Sequence, residues 1–150
     1  MAVYVGIDPG KKGAMAIMGY SNTTGERYMM KIIPFDPQEY IKTLKQFHIA
    51  TCCIEQVHAL HGNGITSSFS FGQTYGWLLG ILDALGISYQ TISPQRWKRE
   101  YGLNSEKEKS IEVCKRLFPD VDLKRTERCK KDDDGYAESL LLAEYARRHM

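Results

Sequence analysis

The chain has 150 residues and 17.1 kDa, 43% of them hydrophobic and 25% charged, with a net charge of +2. That is the length of one domain able to bury a core without staples. No apolar run approaches the ~20 residues that a bilayer span requires, and no basic-then-apolar leader follows Met1, so neither a membrane span nor a secretory leader is expected.

In chain order, the apolar, β-branched run 2–7 stops at the turn Asp8-Pro9-Gly10 and predicts a strand that ends in a carboxylate. Residues 14–18 and 27–33 predict two more strands, joined through the polar turn 21–25 into an antiparallel meander. Pro37 opens a helix through Tyr40, Ile41, Leu44 and Phe47, and the apolar strand 50–54 follows, terminated by Glu55. Residues 58–68 form a loop rich in Gly, Ser, Asn and His. The stretch 69–85 has the apolar density of a largely buried helix, with Gly72, Gly76 and Gly80 allowing close packing. A fifth strand spans 87–92, and Pro94 opens a short helix through Trp97. Ser105 caps another helix through Ile111, Val113 and Leu117, with Glu108 placed as in a capping box. The last helix starts within Asp132–Asp134 and continues through Leu140–Leu142 and Tyr145. The order βββαβαβααα predicts an α/β domain with a mixed sheet and helices on its faces.

The cysteines Cys52, Cys53, Cys114 and Cys129 lack CxxC spacing and a histidine cluster, which argues against a zinc knuckle and for reduced thiols in a cytoplasmic protein. Cys52 and Cys53, adjacent in a strand, are expected as small buried hydrophobes on opposite sides. Charge is uneven: residues 95–131 carry twelve Lys and Arg against seven Asp and Glu, a local +5, and the rest carries −3. Such a stretch is compatible with a polyanionic partner, although a charge-rich helix is more often a solvated face.

Two strands end in lone carboxylates, Asp8 and Glu55, and parallel neighbours would bring those ends to one sheet edge, where open α/β folds place their sites. Asp134 and Glu138, four apart, share a helix face. Gathering such like charges costs stability unless a divalent cation fills the gap, and hard oxygen ligands without thiolate or histidine select Mg²⁺ or Mn²⁺. Two ions about 4 Å apart activate a water and stabilise the leaving oxygen of a phosphodiester. Asp132–Asp134 by themselves would only complement a helix dipole.

The segments Tyr4-Val5-Gly6-Ile7-Asp8-Pro9-Gly10, Ile54-Glu55-Gln56-Val57, Phe71-Gly72-Gln73, Ser93-Pro94-Gln95-Arg96-Trp97-Lys98, Glu108-Lys109-Ser110 and Tyr136-Ala137-Glu138-Ser139-Leu140-Leu141-Leu142-Ala143 occur in the order found in RuvC-type Holliday junction resolvases. The chain resembles that family along nearly its whole length, and its compactness resembles the phage branch. The resemblance implies one ribonuclease H-like nuclease domain over residues 1–150, with a mixed five-stranded sheet. It further implies a homodimer that nicks opposed strands of four-way and related branched DNA with Mg²⁺ or Mn²⁺, two ions per active site, without a branch-migration motor. For a phage-encoded protein the setting would be the host cytoplasm.

By the same resemblance, Asp8, Glu55 and Glu138 match the family's acids, although the family carries aspartate at the last position. The remaining acid normally lies three residues before it, where this chain has Gly135. Asp134 is the best substitute, with Asp132 and Asp133 as candidates. Lys98 and Lys109 match basic residues near the cut, and Lys107 is an alternative to Lys109. Family members carry an aromatic after the Glu-Gln-Val run. Here His58 stands there, so His58, His61 and Phe69 are the candidates for stacking on bases at the junction centre. The small-residue helix 69–85 is the candidate dimer interface. Rival readings are a nuclease for flaps, forks or RNA-containing duplexes, a non-cutting junction binder, and an actin-like ATPase, which would need two such domains.

Overall fold

The computed structural model describes residues 1–57, 62, 64–103 and 107–149, the side chains of Lys107 and Glu108 excepted. Its elements are β1 (Ala2–Asp8), β2 (Ala14–Tyr20), β3 (Arg27–Pro34), α1 (Pro37–Leu44), β4 (Ile49–Glu55), α2 (Ile65–Ala84), β5 (Tyr89–Ile92), α3 (Pro94–Glu100), α4 (Lys107–Leu117) and α5 (Asp134–Arg148). The strands form one five-stranded sheet in the order β3-β2-β1-β4-β5. β1–β2 and β2–β3 pair antiparallel, while β1–β4 and β4–β5 pair parallel. The mixed sheet and its order of elements agree with the sequence reading.

Both faces of the sheet are covered, so the central strands are apolar throughout rather than alternating. Val5, Ile7, Met15, Ile17 and Ile54 pack with Tyr40 and Leu44 of α1 and with Leu78, Ile81 and Leu82 of α2. Tyr4, Ala14, Ala16 and Met18 pack on the opposite side with Trp97 of α3, Cys114 of α4 and the apolar side chains of α5. Cys52 enters the first cluster and Cys53 the second, each buried and unbridged, as alternation along a strand requires. α5 lies directly on β1: a Cβ on Gly6 would fall 2.0 Å from the Ser139 carbonyl oxygen and 2.3 Å from the Ala143 nitrogen. Only glycine permits that approach, and it fixes the height of α5 over the end of β1.

The largest departure from expectation is α2. It starts at Ile65 rather than at 69 and is half exposed: Thr74, Leu78, Ile81 and Leu82 are buried, while Ile65, Phe69 and Trp77 are 90%, 74% and 54% exposed. Among the described residues nothing lies within 4 Å of a Cβ added at Gly72, Gly76 or Gly80, so these glycines are not needed for close packing there. Apolar residues lie all around α2 and the sheet covers one side of it, a distinction composition cannot make. Boundaries also moved: α1 ends at Leu44, α3 runs on to Glu100, and β5 starts at Tyr89 because Ile87 donates its N–H to the Leu82 carbonyl, closing the preceding turn. The expected cap Ser105 and the Glu108 side chain lie outside the described residues. No described helix is long and apolar enough to cross a membrane.

Candidate metal centre

Parallel pairing sets Ile7 opposite Ile54, so the next residues, Asp8 and Glu55, leave the sheet side by side. α5, held against β1 at Gly6, presents Glu138 to the same point. One carboxylate oxygen from each of Asp8, Glu55 and Glu138 lies within 4.8 Å of the others, all three residues being half-buried. Loss of hydration, then the charges of Glu138, Glu55 and Asp134, push the Asp8 carboxyl well above the usual carboxylate range, against the pull of Lys98. Burial also raises Glu55, with Lys98 and a hydrogen bond from Trp97 opposing it. Two residues of α3 therefore hold the group in place. The buried Trp97 donates its Nε1–H to Glu55 Oε2 at 3.3 Å, and Lys98 Nζ stands 3.9 Å from Glu138 Oε1.

This donor set is all hard oxygen, crowded and partly dehydrated; burial raises Asp8 and Glu55, and at Asp8 neighbouring like charge adds to it. Protons or a divalent cation of the Mg²⁺ or Mn²⁺ class satisfy it equally well in electrostatic terms, and the residues fit such a cation.

The three consecutive aspartates have separate roles. Asp132 is drawn away by Lys115 at 2.5 Å and Lys124 at 3.6 Å, and the Lys115 hydrogen bond holds its carboxyl below the usual range. The structure thus does not bring Asp132 into the carboxylate group. Asp133 is the N-cap of α5, accepting from the Tyr136 N–H at 3.1 Å, and receives Arg125 in a two-point contact, Nε to Oδ2 at 2.7 Å and Nη2 to Oδ1 at 3.1 Å. Asp134, the first residue of α5, acts on Asp8 through its charge. A Cβ on Gly135 would lie 3.1 Å from Asp8 Oδ2 and 3.2 Å from Arg125 Nη2, so this position has little room for the side chain that the resembled family carries there.

Arg125 and Trp97 were not legible as site residues. Arg125 Nη2 also donates to the carbonyls of Lys12 and Gly13, and the guanidinium lies 5.1 Å from the centre of the Tyr136 ring. It ties the β1–β2 turn to the start of α5, which is the gap between Asp8 and Asp134. In sequence it is one cation in a basic run, and nothing marks it apart. Trp97 is visible in sequence as an apolar helix residue, but its N–H partner is not. Lys109 is half-buried on the first turns of α4, and Phe69 lies on exposed α2 rather than in a loop. His58, His61 and the Lys107 side chain lie outside the described residues.

No protein-family model and no curated protein sequence matches the chain. Solved structures do. The chain is similar to Thermus thermophilus RuvC, at 18% identity and TM-score 0.67 over 98% of this chain and 96% of that one. The same protein in complex with a Holliday junction substrate matches at 15% identity and TM-score 0.67, covering 97% and 96%. The fowlpox virus resolvase complexed with substrate Holliday junction DNA matches at 17% identity and TM-score 0.61, covering 97% and 99%. The fold is therefore the ribonuclease H-like fold of these resolvases.

Proposed function

We propose that this protein is a metal-dependent, structure-selective endonuclease that resolves four-way and related branched DNA by paired nicks, working in the cytoplasm. The observation that carries the reading is the convergence of Asp8, Glu55 and Glu138 within 4.8 Å, on a fold shared with proteins solved on Holliday junctions. Asp8, Glu55, Glu138 and Asp134 would hold Mg²⁺ or Mn²⁺. Two such ions per site would supply Lewis-acid polarisation of the phosphodiester and a water of lowered pKa.

The chain's own residues supply position and charge. Trp97 fixes the Glu55 carboxylate, and Arg125 sets the start of α5 against the β1–β2 turn. Lys98, beside Glu138, is placed to meet a non-bridging phosphate oxygen and to offset charge as phosphorus becomes five-coordinate, with Lys109 or Lys107 as a second cation. Water attacks, the bridging oxygen leaves, and no covalent enzyme intermediate forms.

Paired nicking requires two sites related by a twofold axis. The exposed α2 face, with Phe69, Trp77 and Gly72, Gly76 and Gly80 that no described residue covers, supports a homodimer built there. The reading needs no branch-migration motor.

The test is incubation with synthetic four-way junctions, flaps and forks, with and without Mn²⁺, read on a denaturing gel. Junctions are expected to be nicked symmetrically and only with metal. Asp8→Asn is expected to abolish nicking while junction binding persists, and a variant that cuts at the normal rate refutes the site. Preference for flaps or forks would shift the substrate class, and binding without cutting would make the protein a junction binder.

A further inference from the structure

A groove of about 950 Å³ has Asp8 and Asp134 of the carboxylate group on its wall. We infer that this groove receives the nucleic-acid strand next to the scissile linkage, with Lys11 and Lys12 of the β1–β2 turn neutralising its phosphates. The inference rests on the nuclease reading and extends it to residues that reading does not use.

The groove is far larger than a pair of ions needs, and its volume lies in the range of pockets that enclose drug-sized molecules. Beyond the aspartates its lining changes in character. Thr66, Ser67 and Ser70 of α2 contribute hydroxyls, Phe71 contributes a ring, and Lys11 and Lys12 contribute cations. Hydroxyls and lysines are the groups that contact phosphate oxygens without reading sequence, and an exposed ring is a platform for a base or sugar. Asp133, the other acid on this wall, is already neutralised by Arg125.

Lys11 and Lys12 are exposed and enter no ion pair among the described residues. The turn that carries them is nonetheless fixed at both ends. Gly10 has φ +117°, with the Phe71 ring 3.1 Å from where its Cβ would stand, and Arg125 binds the Lys12 and Gly13 carbonyls. Lys98 stands beside Glu138, and the lysine pair lines the groove that Asp8 borders, so cations lie near the carboxylates from two separate elements.

The experiment measures binding of a fluorescent synthetic four-way DNA junction against KCl concentration in EDTA, for wild type, K11A/K12A and the control K42A/K45A. The control removes the same charge from exposed positions on and beside α1. Two lost phosphate contacts should flatten the slope of log K against log salt by about 1.4 for single-stranded and about 1.8 for duplex contacts. We expect that change, with roughly tenfold weaker binding at fixed salt, in K11A/K12A alone and with Mn²⁺ affinity unaltered. A wild-type slope in K11A/K12A, or equal flattening in the control, overturns the groove assignment. If wild type cuts with Mn²⁺ yet K11A/K12A keeps its slope, the groove falls and the nuclease reading stands. If wild type never cuts, both fall.

Discussion

Helix α5 carries two glutamates with opposite surroundings. Glu144, with 0% side-chain exposure, is met by three arginines: Arg27 Nε at 3.1 Å, Arg147 Nη2 at 2.6 Å and Arg148 Nε at 3.0 Å. Burial pushes its carboxyl up, but hydrogen bonds from Arg147 and Arg148 and the charge of Arg27 win, and it sits below the usual range. Glu138 instead shares its space with Asp8 and Glu55, beside Lys98, and its neighbour Asp8 is held well above the usual range. One helix therefore shows both ways of burying a carboxylate. Where arginines surround the carboxylate the group is structural, and where carboxylates crowd one another, as Glu55 and Glu138 do around the raised Asp8, an exchangeable proton or cation relieves the crowding.

The sharpest way to break this contrast is a matched pair of substitutions. Glu138→Gln should reduce junction cutting by at least about 10³-fold, the several kcal/mol that ion-mediated charge stabilisation supplies, without lowering the thermal midpoint of the metal-free protein. Glu144→Gln should do the reverse. It leaves three arginines facing a neutral amide and should cost about 3 kcal/mol, or roughly 6–12 °C in a domain of this size, while the folded fraction cuts at close to the wild-type rate. Calorimetry and single-turnover cutting on the same preparations decide it, and equal effects on both readouts would erase the distinction.

Next comes Arg125→Ala, which removes the tie between the β1–β2 turn and α5. Groups that orient metal ligands typically contribute about 10–100-fold in metal affinity, so the Mn²⁺ concentration for half-maximal cutting should rise by about that factor. Arg125→Lys should rescue little, because an ammonium cannot make the two-point contact to Asp133.

A smaller effect is the pH dependence of stability. Asp8 and Glu55 have raised values in the folded chain, so the folded state binds protons more tightly than the unfolded one. Metal-free protein should therefore lose stability as pH rises from the ordinary carboxylate range through those raised values. Saturating Mn²⁺ should abolish the decline by replacing the protons. Denaturant melts at several pH values check this, and a metal-free protein that grows more stable over that range would contradict it. The smallest effect belongs to Asp132→Asn, which breaks solvent-facing contacts to Lys115 and Lys124 and should change cutting by less than about twofold.

These outcomes also mark what the sequence could convey. Strand ends were legible because an apolar β-branched run stopping at Asp8-Pro9-Gly10, or at Glu55, leaves a carboxylate where the sheet meets solvent, and parallel pairing then brings the two together. The order of elements followed from similar local signals. Which residue of the aspartate run faces Asp8 was not legible, since it depends on which one caps α5 and on the lysines that claim Asp132 from α4 and the 118–133 segment. Arg125 was hidden for the same reason: its partners, Lys12 and Gly13, are more than a hundred residues away in the chain. The exposure of α2 was misjudged because an apolar helix exposed along one side and one buried all round can have the same composition.

The central claim is that Asp8, Glu55 and Glu138 form a binding site for divalent cations. Anomalous diffraction from crystals soaked in MnCl₂ tests it directly. Peaks within coordination distance of all three carboxylates are predicted, and a soaked crystal that shows none between them contradicts the account.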